Sequence, residues 1–598
     1  MEKDLYTNLM AVTWRNRKRL SVAFLTVLAS NGLLVFLPLL FRQAVLSVNP
    51  ATADMGEGIP LHIAHALGSW AHSVWIWVAL LVLVAISSAY FMYRMRVEFV
   101  AVSRDVERRV RSRLFDRLQA QSRAFYDHHH VGDLMSILTN DMAAYREVLG
   151  PGIMYPLYFA TMVIPAMIAL YSISPPMATV SLLPILILPL FILVTQRRVY
   201  QTSKEVQEVL GEMSTFAQEH FSAVRLIKGA ANEKLTLRLF DQLGDHYFQL
   251  NIWLAALRGL FFPFLTLFTK CITLALVLFA GYSLFYGWSQ ITSADFVSFM
   301  WIQSNVFGPV LFLGWVLPIY QRGSAAYSRL VTMYNEPVEV DEGPKHGPEV
   351  RAQADITIRD LSFTYPKASA PSLKNIDLTI KGGTFVGITG PVAAGKTSLF
   401  RLINREYEIP KGKISIGEHD IHDYNVEALR RHIGVVEQAP FLFSKTVAEN
   451  VGIGLDRPSM EEIEQVARMA DLHESVLTFP AQYETVVGER GVRLSGGQRQ
   501  RVAIARTFLV NRSIVLLDDI FSAVDAGTER RIFAHMRENF SGSTVLLITH
   551  RTTLLQQMDR VLYMAGGSIV EDGSHVDLMA QKGRYAALVE LQSLGGLP

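Results

Sequence analysis

Residues 383–403 read GTFVGITGPVAAGKTSLFRLI: an apolar strand-like run, a glycine-bounded loop, and the start of an amphipathic helix. The loop fits G-x-x-x-x-G-K-[ST] from Gly390 to Thr397, through Pro391, Val392, Ala393, Ala394, Gly395 and Lys396, with Ser398 next in the helix. Such a loop lets backbone N–H groups curl around phosphate oxygens, and the helix behind it presents its positive N-terminus to them. In that arrangement Lys396 reaches the outer phosphates and the Thr397 hydroxyl binds Mg²⁺. The stretch predicts an α/β P-loop ATPase domain, which we place over 354–598 from the strand-like segments that begin near Ile356.

Upstream of that domain the composition changes. The chain has 598 residues, of which half are hydrophobic and 18% charged, too long for one ordinary domain. Long apolar runs crowd the region 1–330. Six of them are long enough to cross a bilayer as helices: about 20–45, 68–95, 150–174, 177–196, 254–287 and 294–320. The third and fourth are separated by Ser174-Pro175-Pro176, which enforces a tight break. A charged, Pro/Gly-containing linker follows over 331–353. The expected fold class is therefore an α-helical membrane domain of six transmembrane helices with cytoplasmic extensions, joined to the P-loop ATPase domain.

Basic residues orient the spans. Arg15, Arg17, Lys18 and Arg19 precede the first, and the long connections 96–149 and 197–253 are rich in Arg and Lys, whereas 48–67 has neither. Trp70, Trp75 and Trp77 open the second span like an interfacial belt. The N-terminus, both long connections and the ATPase domain are thus expected in the cytoplasm. Those connections carry apolar and charged residues at helical spacing, so they read either as spans continuing beyond the membrane or as amphipathic helices lying on it. The net charge of +2 gives no reason to expect a nucleic-acid partner. The one cysteine, Cys271, excludes an intramolecular disulfide framework and reads as a packing residue. His128, His129 and His130 point in different directions on a helix and read as a solvated turn, not a metal site.

A second signature narrows the class. LSGGQRQRVAIAR, 494–506, precedes the apolar strand SIVLLDD that ends in Asp518-Asp519. Here the chain resembles the ATP-binding cassette (ABC) superfamily, and more closely the exporter-type half-transporters. Strings such as VGDLM near 131, RGSAAYSR at 322–329 and GERGVRLSGGQ are similar to those of bacterial multidrug-like subunits that form heterodimers. The resemblance implies ATP and Mg²⁺ as cofactors, an integral multi-pass location in a bacterial inner membrane, and a small-molecule or lipid-like cargo. Tyr365 matches the aromatic that stacks on adenine, although a strand-edge tyrosine is the plain alternative. Gln438 matches the glutamine that joins Mg²⁺ and the attacking water to the membrane domain. Asp518 matches the Mg²⁺-linked acid, and His550 the histidine near the γ-phosphate. Asp525 matches the loop that crosses to the partner. Ser495, Gly496, Gly497 and Gln498 match the signature that completes the nucleotide site of the opposing subunit. One cassette with six spans would then be half a transporter.

One position departs from the family. The residue after the Mg²⁺-linked Asp is usually Glu, which orients or deprotonates water; here it is Asp519, one methylene shorter. The expectation is a hydrolysis-impaired site on this chain's own loop, with the partner supplying the Glu and using this chain's LSGGQ. Coupling helices are expected at 131–142 and near 231–240, received by TVVGERG at 485–491. Lys270, inside the fifth apolar run, would line the substrate path or else pair with an acid or carbonyl across a dimer. An exporter-shaped importer, of metal-chelator complexes for example, and an ATP-gated channel stay open as alternatives.

Overall fold

Apolar runs become long helices in the computed structural model, which describes residues 16–48, 74–286, 291–344, 347–351, 353–488 and 494–595. The connection 48–67 (beyond Val48), Trp70 and most of the GERG stretch lie outside those residues. The chain divides into two units, Met1–Leu118 with Gly132–Glu336, and Gln119–Val131 with Pro337–Pro598.

Among the described residues, the first unit carries six helices long and apolar enough to span a membrane. They are α1 (Arg17–Val48), α2 (Val74–Gln119), α4 (Val131–Ile173), α5 (Pro175–Ser222), α6 (Glu233–Phe285) and α7 (Ser293–Asn335). The short α3 (Arg123–His128) falls between α2 and α4 and belongs to the second unit. Ser174 is extended, and Pro175 and Pro176 occupy the first positions of α5, where their missing N–H groups cost nothing. With 48 residues α5 is about 70 Å long, far more than a bilayer core of about 30 Å. The spans therefore run on as continuous helices and not as separate surface helices. α7 likewise continues to Asn335, so the linker expected from 331 begins after Glu336.

Lipid offers the backbone no hydrogen bonds, and several polar groups of this unit pair inside it. Asn31 donates to the Tyr158 carbonyl (3.1 Å) and Thr161 Oγ1 (2.8 Å). Ser30 and Ser88 exchange bonds to each other's carbonyls at 3.1 Å. Arg42 of α1 forms a buried ion pair with Asp295, which also caps α7 through Thr292. α4 contains two π-helical turns, Ile137–Asp141 and Val148–Gly152. The first directs Asp141 to a two-pronged bond with Arg329 of α7, at 2.6 and 2.8 Å. Cys271, expected to be a packing residue, is exposed: α6 packs along α5, and its opposite face carries Cys271 and Lys270 uncovered by this chain.

The second unit is built on two sheets. Strands β1 (Ile356–Phe363), β2 (Leu373–Ile380), β4 (Ile414–Ile416) and β5 (His419–Asp420) form an antiparallel sheet in the order β2-β1-β4-β5. The other has the order β10-β9-β3-β8-β7-β6, from β3 (Phe385–Thr389), β6 (Ile433–Val436), β7 (Ile514–Asp518), β8 (Thr544–Ile548), β9 (Arg560–Ala565) and β10 (Ser568–Gly573). β3, β7 and β8 are buried along their whole length, as continuous Val/Ile/Leu runs in a parallel sheet must be.

α3 corrects one expectation. Residues 131–142 open α4, and it is the preceding turn, α3, that packs within the cassette unit: Ala124 is 2% exposed in a cluster with Phe363, Tyr407 and Ile433. The Ser122 hydroxyl caps α3 by accepting from the Phe125 N–H and donates to Glu339 at 3.0 Å.

Candidate functional site: a nucleotide cradle at one sheet edge

β6, β7, β8 and β3 are parallel neighbours, so their carboxyl ends deliver four loops to the same edge. After β3 comes the phosphate loop, after β8 His550, at the end of β7 Asp518 and Asp519, and after β6 Gln438. Residues more than 150 positions apart in sequence are collected by topology alone.

The loop is shaped by backbone that side chains would block. A Cβ on Gly390 (φ 138°) would lie 1.9 Å from the Met564 carbonyl oxygen, and one on Gly395 (φ 95°) 2.6 Å from that of Ser372. Ala393 also holds a left-handed φ of 64°, strained for a residue with a Cβ. Pro391 and Val392 ride on the outside of the turn, Val392 fully to solvent, while Ala394 is buried beneath it. Helix α8 (Lys396–Ile403) starts at the end of the loop. Lys396 Nζ donates to the carbonyls of Gly390 (2.7 Å) and Pro391 (2.8 Å), so its charge is held inside the cradle. Burial pushes this ammonium below the usual lysine range, against the pull of Asp518 and Asp519.

Thr397 Oγ1 donates to Asp518 Oδ2 at 2.7 Å. A hydroxyl and a carboxylate this close form the kind of hard oxygen pair that Mg²⁺ takes together with phosphate oxygens and water. Burial raises the Asp518 carboxyl above its ordinary value, and the neighbouring Asp519 adds to this, so a cation placed there would relieve an uncompensated charge. When bound, Mg²⁺ would be held by Thr397 and Asp518 and would neutralise charge on the outer phosphates. Gln438 is not turned to that pair: its Nε2 donates to Asp519 Oδ2 at 3.2 Å. Asp519 has a left-handed φ of 46°, and burial raises its carboxyl while His550 and Gln438 oppose the shift. His550 is pushed down by burial and by the Lys396 charge, against the pull of Asp519.

Tyr365 leans on the same helix. Its hydroxyl donates to Ser398 Oγ at 2.9 Å, and its ring meets Phe363 and Tyr407 edge-on. The signature lies elsewhere in the unit. Ser495 caps α9 (Gly496–Val510) through a reciprocal pair with Gln498, at 3.2 and 2.9 Å. Gly496 and Gly497 form its first turn, and a Cβ on Gly497 would lie 2.6 Å from the Ala523 carbonyl oxygen. Asp525 spends one carboxylate oxygen capping α10 (Ala526–Asn539) at Gly527 and Thr528, both 3.0 Å. Gln500 was not singled out from sequence. It donates to Ser522 at 2.9 Å and accepts from the Ala523 N–H at 3.2 Å, bracing the loop between Asp519 and Asp525. Lys270 belongs to the other unit and is exposed on α6.

Comparison with known proteins agrees with this arrangement. Residues 20–310 match the ABC transporter transmembrane region and 373–522 the ABC transporter domain. The multidrug resistance-like ATP-binding protein MdlA of Escherichia coli is 33% identical over 87% of this chain and 88% of its own length. A probable multidrug resistance ABC transporter ATP-binding/permease protein of Bacillus subtilis, YheI, is 30% identical over 96% and 95%. An ATP-dependent lipid A-core flippase of Syntrophus aciditrophicus is 29% identical over 98% and 94%. With six spanning helices joined to an ABC transporter domain, the chain belongs to the ABC transporter family, as an exporter-type half-transporter of the MdlA kind.

Proposed function

We propose that this chain exports amphipathic or lipid-like small molecules, as one half of a heterodimer in a bacterial inner membrane, and that its own phosphate loop forms the weaker of two ATP sites. Six spans on an ATPase domain support ATP-driven transport across a membrane, and the multidrug and lipid flippase names of the relatives support the cargo class. The observation that carries the asymmetry is Asp519. Its carboxylate stands where the family's water-activating Glu would, but on a shorter side chain, held back by Gln438 at 3.2 Å. A displacement of about 1 Å at such a group can cost about 10²-fold in rate. The intact LSGGQ of this chain, presented at the start of α9, then serves mainly the partner's nucleotide. Lys270 is exposed on α6, and in this reading it lines the cargo's route.

Purified complex with its partner tests this. Asp519→Glu is expected to raise ATP turnover, whereas replacing the partner's corresponding Glu by Gln abolishes it. Fast hydrolysis by a homodimer of this chain alone would overturn the asymmetric assignment.

A further inference from the structure

α3 is held to the cassette unit by several ties, and two of its side-chain bonds differ in kind. At one end, Arg123 pairs with Glu437, the neighbour of Gln438, at 3.4 Å. Both side chains are well exposed, and an ion pair in water contributes little. At the other end, Tyr407 donates its hydroxyl to the Asp127 carboxylate. Tyr407 is 2% exposed while Asp127 is as open to solvent as Arg123, and a bond from a buried donor to a charged acceptor is stronger than a fully exposed ion pair. Burial and the Asp127 charge both push its phenol well above the usual tyrosine range, so it remains a donor at every physiological pH. The backbone adds one further tie, from the Arg123 N–H to the Glu406 carbonyl at 3.3 Å, beside the same tyrosine.

Tyr407 also touches the nucleotide cradle from behind. Its ring stands edge-on to Tyr365, with centroids 5.2 Å apart and planes at 84°. Tyr365 in turn is fixed to the phosphate-loop helix through Ser398 (2.9 Å) and receives a bond from Arg401 (3.3 Å). The contiguous series is Ser398, Tyr365, Tyr407, Asp127, α3. A base stacked on Tyr365 would have to shift or stiffen that ring, and Tyr407 is the one side chain in this series packed against both it and α3. Resting on the reading that Tyr365 receives the adenine, we propose that Tyr407 is a positioning residue that ties the adenine platform to α3, so that the base, and not only the phosphates, sets how firmly α3 is seated.

The test is hydrogen exchange of residues 119–131 in the full transporter with its partner in nanodiscs, with no ligand, with Mg²⁺ and a non-hydrolysable ATP analogue, and with Mg²⁺ and tripolyphosphate, which carries no base. In the wild type the ATP analogue is expected to slow exchange in this segment severalfold and tripolyphosphate to do so far less. Tyr407→Phe, which keeps the ring and removes the hydroxyl, should lose most of that protection while its affinity for the ATP analogue stays within about twofold. Asp127→Asn keeps an acceptor oxygen and should retain the protection that Asp127→Ala loses, an outcome that a merely structural role would not produce. Equal protection by tripolyphosphate, or full protection in Tyr407→Phe, overturns the proposal. Tyr365→Ala separates the two layers. Unchanged affinity for the analogue there sinks the adenine reading itself, whereas weakened affinity together with full protection in Tyr407→Phe sinks only the link through Tyr407.

Discussion

The phosphate cradle and the seam between α5 and α7 solve the same problem, burying polar groups, with opposite outcomes. In the cradle, Lys396 is held by two carbonyls and Asp518 by the Thr397 hydroxyl. In the seam, Ser181 and Gln303 are 0% and 3% exposed, and neither side chain has a hydrogen-bond partner among the described residues. Ser181 lies on α5 and Gln303 on α7. α5 and α7 are the fourth and sixth crossings and run the same way, and a Cβ on Gly314 would meet Ile192 Cγ2 at 2.7 Å. Ser181 and Gln303 each lie eleven residues before the residues of that contact. The cradle is specified by chemistry, residue by residue. The seam is specified by apolar packing, which tolerates two polar strangers.

Glycine replacements should separate the two regions most sharply. Gly390→Ala drives a Cβ to 1.9 Å from a backbone carbonyl that cannot turn aside, at a φ of 138°. The expected cost is about 3 kcal/mol or more in cassette stability, with ATP affinity at least about tenfold weaker, read by nucleotide titration and thermal melting. Gly314→Ala meets the Cγ2 methyl of Ile192, which is stiff at χ1 but, unlike a backbone carbonyl, can be relieved by a small shift of one side chain. About 1 kcal/mol of destabilisation is expected, and Ile192→Leu, which removes that methyl, should restore it. Equal losses at both glycines would mean that the seam is as rigid as the cradle.

What could be read from the sequence follows the same division. Gly390 to Ser398 stand out as a phosphate-loop pattern between a strand-like run and a helix, and Asp518, Asp519, Gln438 and His550 through the family resemblance; parallel strands in one sheet then send them to one edge. The six spans were visible because about 20 apolar residues satisfy a bilayer whatever their order. Spacing could not show pairings such as Tyr407 with Asp127, 280 residues apart. Nor could it place α3: residues 123–128 and 131–142 both mix apolar and polar residues at helical intervals, and only the burial of Ala124 among cassette residues distinguishes them. The exposure of Cys271 was illegible for a related reason, since hydropathy cannot tell a face covered by this chain from one left for lipid or a partner.

The seam offers a smaller effect with the opposite sign. An amide buried without partners costs about 1–3 kcal/mol relative to an apolar group of similar size. Gln303→Leu should therefore be neutral or raise the melting temperature of the detergent-solubilised chain, and Ser181→Ala should add to it only slightly. A clear loss of stability in Gln303→Leu would show that the amide is satisfied in the working protein, and the contrast with the cradle would fall.

The smallest effect returns to the cradle, where two adjacent alanines should respond in opposite directions to the same change. Ala393 has a φ of 64°, whereas Ala394 is not among the left-handed residues and is 2% exposed. Left-handed backbone costs a residue with a Cβ about 1–2 kcal/mol, and glycine gives back about 0.5–1 kcal/mol of that through the larger entropy of its unfolded chain. Ala393→Gly is thus expected to stabilise the cassette by about 0.5 kcal/mol. Ala394→Gly gains no relief, loses a buried methyl and suffers the same entropy, so it should destabilise by about 1 kcal/mol or more. Melting curves of the two variants side by side decide the matter. If both destabilise, the strain at Ala393 is offset by contacts of its methyl, and the cradle owes its shape to packing after all, as the seam does.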